Sequence, residues 1–507
     1  MARISLRRWT PVSGQIIAHN WWRQVAIAPS AFGISNMATE VISQSWLAGL
    51  ATSLNVPEAA VRLLASILLG FPLALFHRYK LYGKEQTLQH IFFILSGLSI
   101  GYWNYGTDIL HSAFSLCVTY LILKIVGGTN LSVIMSFVFN LTYLLVGYYT
   151  TSTEEYDIKW TMPQCVLTLR LIGLAFDLYD GRKKEEKLSA SQKETALKSV
   201  PSFLEIAAYI YFPGSFLVGP QFSMNRYLKY VNGELRDPDS SNELPPCIVP
   251  GFLRALAGFG YIVVFQLGSM YVSDDYIVDS SFSNESFWKR WFLLGLWGRV
   301  NLYKYISCWL ITEGVCIVFG ITYNGKDENG VQRWDGCANV KLLVFENATQ
   351  FNHYILSFNT NTNHWCAEYI YKRLKFLGSK FYSQAATLIF LAVWHGFHSG
   401  YYICFFIEFI IMYFEKDIGP VLNSNKKLQA HLSNPIIAVL VWFVMKIYTF
   451  VFMGYALIPF VLLKHSKYLQ VFATFHFLGH ILFMGYPLIA PFLKSLIREN
   501  RQRSHNE

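Results

Sequence analysis

Charge is scarce in this chain. Only 15% of its 507 residues are charged, while 53% are hydrophobic and 17% aromatic. An ordinary soluble domain carries about a quarter charged residues, so a string of solvated domains is excluded. Paired cysteines are missing too. The eight cysteines (117, 165, 247, 308, 316, 337, 366 and 404) include no C-x-x-C pair. That spacing offers neither a zinc cluster nor a disulfide framework, and they read as small apolar packing residues. No internal repeat of fixed period is present, which counts against a transporter built from two similar halves. The first 25 residues lack a continuous apolar core. They read as an amphipathic segment on the membrane surface, within residues 1–56, rather than a cleavable signal peptide.

What the chain has instead is long apolar runs between short charged loops. Spans need roughly 20 apolar residues. Runs at 57–76, 88–104, 108–127, 129–149, 160–178, 202–221, 248–272, 288–322, 383–414, 435–463 and 468–494 predict about eleven. The runs 288–322 and 383–414 exceed one simple span, so each is expected to be tilted, broken or double. The expected fold is all-α: a polytopic bundle over 57–494 with a basic tail at 495–507. The net charge of +10 comes without a soluble basic domain, so nucleic acid is not an expected partner. Lys and Arg gathered in cytoplasmic loops explain it. The loops 180–199 and 371–380 are basic on balance and read as cytoplasmic; 272–286 is acidic and reads as lumenal.

Several apolar runs carry ionisable residues: Arg170, Asp177, Glu205, Glu313 and Glu408. Arg170 and Asp177 are seven apart, about two turns, so they share one helix face. Each buried charge costs a few kcal/mol or more unless it is paired or meets water. Helix–helix ion pairing accounts for any one of them. Together they point to a bundle with a polar interior.

The run 388–414, "LIFLAVWHGFHSGYYICFFIEFIIMYF", places two histidines, His395 and His398, near its middle. Metal binding would need further ligands, and neither H-E-x-x-H nor a nearby carboxylate at ligand spacing is present. Two readings stay open. The histidines are hydrogen-bonded packing residues, or one is a general base, since imidazole takes a proton near neutral pH. Gly396 and Gly400 permit close approach, and Trp394, Tyr401 and Tyr402 supply aromatic walls. Upstream, "SFNTNTNHWCAEYIYKRLKFLG" (357–378) holds Asn359, Asn361 and Asn363. An amide is costly in lipid unless used.

The W-H-G-x-x-x-G-Y pattern at 394–401, with the upstream aromatic-Asn at 358–359, resembles the membrane-bound O-acyltransferase family. The segments 212–227 and 287–305 are similar to family segments as well, so the resemblance covers most of the chain. It implies a helical bundle around a reaction chamber inside the membrane, in the endoplasmic reticulum. It implies acyl-CoA as co-substrate and no cofactor or metal. The family's histidine falls on His395 and its asparagine on Asn359; His398 and the other asparagines are then structural. The local details at 357–378 and 392–402 resemble members acting on lysophospholipids. On that likeness the acceptor is the sn-2 hydroxyl of lysophosphatidylcholine, with lysophosphatidylethanolamine and lysophosphatidylserine also plausible, and the acyl chain polyunsaturated. His395 would take the hydroxyl's proton, and Asn359 would hold the hydroxyl, the imidazole or the oxyanion. Lys372, Arg373, Lys375, Arg299 and Lys304 are candidates to meet the CoA phosphates, against the plainer reading that they are snorkelling or positive-inside residues. Partners are the two substrates and membrane lipid, and homo-oligomerisation is compatible with all of this. The rivals are a family member with another acceptor and, in a different class, a lipid transporter or scramblase.

Overall fold

The computed structural model describes residues 46–54, 56–151, 153, 158–238 and 244–502. Most of the expected surface-lying segment (1–45 and 55) and the last five residues of the tail lie outside the described residues. The chain divides into two compact units, Met1–Arg62 and Leu63–Glu507. The first contributes the helix Trp46–Leu54 and the start of the helix Glu58–Phe76; the second contains every other element.

The fold is all-α, as the apolar runs predict. Among the described residues there are two isolated β-bridges, Lys326 with Gln332 and Val340 with Phe358, and no sheet. Eight segments of the described chain are long and apolar enough to cross a membrane, so the protein is a multi-pass membrane bundle. The number differs from eleven at three places, one of them the run 383–414, whose two helices are not among the eight. Gln86–Tyr105 and Leu110–Val126, expected as two spans, are joined by a single 3-10 turn at Gly106–Ile109 and form one continuous segment. The run 202–221 is not a span at all. Its helix, Phe203–Ile210, has eight residues, about 12 Å long at 1.5 Å per residue. The rest of the run turns back through buried, non-helical chain. It is apolar because protein surrounds it, and hydropathy cannot tell a protein interior from lipid.

The site is built by α1 (Thr161–Gly181), α2 (Ile248–Tyr271), α3 (Phe287–Phe319), α4 (Thr360–Cys366), α5 (Lys380–His395), α6 (Ser399–Ser424) and α7 (Pro435–Leu462). The expected run 288–322 is one unbroken helix of 33 residues, α3, ended by Gly320 in the left-handed conformation (φ 93°). The run 383–414 is two helices, α5 and α6, parted at Gly396 (φ 123°). The run 468–494 is broken as well, into His465–Thr474 and Leu478–Gln502.

Packing follows the rule for membranes, where small residues let backbones meet. A Cβ on Gly298 of α3 would stand 2.4 Å from the Cα of Gly454 on α7. A Cβ on Gly400, near the start of α6, would stand 2.0 Å from the carbonyl oxygen of Pro459 on α7. These two contacts pin α7 against both α3 and α6. Large buried aromatics fill the rest, Trp297, Tyr455, Phe472 and Phe475 in one cluster and Phe93, Phe212, Tyr227 and Phe319 in another.

Candidate active site

Four of the five ionisable residues singled out in the apolar runs have partners. Arg170 donates to the carbonyls of Tyr209, Ile210, Ser215 and Pro220 and to the side chains of Ser215 and Gln221, at 2.7–3.2 Å. It lies over the rings of Tyr209 and Phe222. Asp177 accepts from the Tyr369 hydroxyl at 2.7 Å. Glu205 forms a capping box with Ser202 at the head of Phe203–Ile210. Glu313 on α3 pairs with Arg254 on α2 at 2.7 Å, the helix–helix ion pair the plain reading expects. Glu408 has neither a hydrogen bond nor an ion pair with any described residue.

The Glu313 pair also sets the position of Asn359. Its second oxygen accepts the backbone N–H groups of Asn339 and Val340 at 2.7 and 3.0 Å. That strand bridges to Phe358, and the Asn339 carbonyl accepts the Thr360 N–H at 3.0 Å. Asn359 is held between them at φ 50°, ψ 44°, as the N-cap of α4. Asn is among the few residues that enter this left-handed region at small cost. The neighbouring asparagines brace the turn. Asn363 donates to the carbonyls of Ile355 and Phe358, and Asn361 to that of Cys337. The side-chain amide of Asn359 makes no hydrogen bond with a described residue.

His395 is the last residue of α5. Its ring is enclosed by those of Trp394, Phe460, Tyr401 and Phe405, with centroids 4.7, 5.2, 5.3 and 5.5 Å away. Neither ring nitrogen bonds to a described residue. Trp394 anchors this end of α5 by donating to the Cys165 carbonyl at 3.0 Å.

His395 and Asn359, 36 residues apart in sequence, line one cavity of about 190 Å³. Its walls are chiefly apolar and aromatic, from α3, α6 and α7, and Glu408 is among them. A second, smaller cavity of about 90 Å³ lies across α4 and is polar. Arg170 and Asp177 line it from one face of α1, as their spacing predicts, together with Ser191, Gln192, Asn361, His364 and Arg373. The loops 180–199 and 371–380 meet here: Arg373 clasps Asp180 on both carboxylate oxygens, and Gln192 donates to Asp180 at 3.2 Å.

The other expected site residues scatter. Lys372 pairs with Glu368, and Lys375 is exposed on the same turn. Arg299 pairs with Glu346 at 3.1 Å and stacks over Phe345; Lys304 lies over Tyr305. Tyr401 is buried against His395, whereas Tyr402 is 37% exposed. The sequence pattern assigns no role to Tyr305 or Trp309, which line the larger cavity, nor to Ser191, Gln192 and His364 in the polar one. Nothing in their local sequence separates them from interfacial aromatics or loop polar residues.

An imidazole and a side-chain amide, neither hydrogen-bonded to a described residue, thus line one cavity of the bundle. A family model for the membrane-bound O-acyltransferases matches residues 144–458, which hold both side chains. The chain belongs to the membrane-bound O-acyltransferase family, and it is an acyltransferase. It is similar to lysophospholipid acyltransferase 5 of Mus musculus, at 45% identity over 454 residues, 90% of this chain and 93% of that one. The Homo sapiens protein of that name is 44% identical over the same shares. That of Drosophila melanogaster is 45% identical over 85% of this chain and 86% of its own.

Proposed function

We propose that this protein transfers an acyl chain, polyunsaturated by preference, from acyl-CoA to the sn-2 hydroxyl of lysophosphatidylcholine in the endoplasmic reticulum membrane. Lysophosphatidylethanolamine and lysophosphatidylserine are further acceptors. The observation that carries this is the shared cavity of His395 and Asn359, both without partners in a mainly apolar chamber. The likeness to lysophospholipid acyltransferases supplies the substrate class.

A hydroxyl is a poor nucleophile at neutral pH. His395 removes its proton as the oxygen attacks the thioester carbonyl. A neutral imidazole accepts it through a ring nitrogen that has no hydrogen-bonding partner among the described residues. Asn359 donates its amide N–H to the carbonyl oxygen as it becomes an oxyanion, from a backbone already fixed in place. Collapse of the intermediate expels the CoA thiolate, which takes the proton from His395. A thioester is already activated, so no acyl-cysteine is needed. The donor's anionic moiety approaches through the polar cavity, where the two basic loops meet beside Arg373.

The test uses purified wild type, His395→Ala and Asn359→Ala in detergent, each given an acyl-CoA and a set of lysophospholipids, with products read by mass spectrometry. Wild type is expected to form diacyl phospholipid. Asn359→Ala should fall by about 10²–10³, and His395→Ala by as much or more. Equal product from a folded His395→Ala protein would make His395 a packing residue.

A further inference from the structure

Glu408 lies on the same face of α6 as Cys404 and Phe405, and all three line the larger cavity. Phe405, whose ring is 5.5 Å from that of His395, precedes Glu408 by three residues, about 4.5 Å along the helix. Phe405 and Glu408 are thus about one turn apart on α6, and both face the cavity that His395 lines. No Lys or Arg lines this cavity, so Glu408 is the one acidic group in it and has no internal counter-charge. The rings of Tyr305, Trp309, Phe358 and Phe405 line the same cavity. An unpaired carboxylate in an apolar chamber costs free energy. Among the described residues no cation offsets that cost; a cationic ligand would. Aromatic faces beside an anion suit one class of ligand, an organic cation, which is drawn to ring faces as well as to the carboxylate.

We propose that Glu408 is the specificity-determining residue of this chamber, pairing with the cationic nitrogen of the acceptor's choline or ethanolamine headgroup while the sn-2 hydroxyl lies at His395. This rests on the acyl-transfer reading above. It makes the cavity selective for zwitterionic lysophospholipids over those whose headgroups carry no cation.

The charge is isolated by comparing two acceptors that differ in one atom. The first is lysophosphatidylcholine. The second is its carbon isostere, with a 3,3-dimethylbutyl group in place of choline, which has the same shape and no positive charge. Initial rates with one acyl-CoA give kcat/KM for each acceptor in wild type and in Glu408→Gln, which removes only the negative charge. Wild type should prefer the choline acceptor by about tenfold or more, mainly through KM. In Glu408→Gln the ratio should fall to about one. Because it is a ratio, it does not depend on how much variant is folded. A wild-type ratio near one, or the same ratio in both proteins, overturns the proposal while acyl transfer stands. No product from wild type with any acceptor removes the acyl-transfer reading and this one with it.

Discussion

The two cavities on either side of α4 are built on opposite terms. In the polar one, Arg170, Asp177, Arg373 and Glu368 each have a partner: carbonyls, the Tyr369 hydroxyl, Asp180 and Lys372. In the larger one, His395, Asn359 and Glu408 have no hydrogen-bonding partner among the described residues. Paired buried groups hold a fold together, and removing one leaves the other's desolvation uncompensated. A group with no hydrogen-bonding partner in the protein adds no such bond to its stability. On the proposed function, the contrast separates the residues that keep this bundle folded from those that meet substrate.

The largest effect that sharpens this difference is at His395. His395→Leu should lose activity by about 10²–10⁴, yet unfold in detergent at the wild-type temperature or slightly above it, because no hydrogen bond is lost. A marked fall in unfolding temperature would show that the imidazole is structural after all. Arg170→Met should behave in the opposite way. Several buried carbonyls lose their donor at about 1–3 kcal/mol each, so the protein should be destabilised by about 3 kcal/mol or more. Thermal unfolding followed by size-exclusion chromatography reads this directly. A smaller loss, about 1–3 kcal/mol, is expected for Tyr369→Phe, which takes the hydroxyl donor from Asp177. The smallest effect is at Tyr402, exposed beside the buried Tyr401. Tyr402→Ala should change stability by no more than about 0.5 kcal/mol and leave the rate within about twofold of wild type.

Sequence pattern was most informative where one residue type admits few explanations. Histidine in an apolar run, or asparagine before a short polar stretch, is costly enough to mark itself, and His395 and Asn359 do share a cavity. Arg170 and Asp177 were placed on one face by spacing alone, and both line the polar cavity from α1. Carboxylates were harder. Glu205, Glu313 and Glu408 look alike in apolar surroundings, but one caps a helix, one pairs across helices and one faces a void. What separates them is the element opposite each, which for Glu313 is 59 residues away in the chain. The same ignorance of what lies opposite made 202–221 look like a span. Its side chains are apolar because Phe93, Phe319 and Tyr227 cover them, and hydropathy records the need for cover without saying what provides it.

The short helix between the cavities has a further consequence. Around it Asn359, Thr362 and Asn363 face the larger cavity, and Asn361, His364 and Trp365 the polar one. Each added residue turns a helix by about 100°. A single insertion or deletion between Thr360 and Cys366 would therefore rotate residues meant for one chamber toward the other. Five of the helix's seven residues line one chamber or the other, and one such change would misdirect those that follow it.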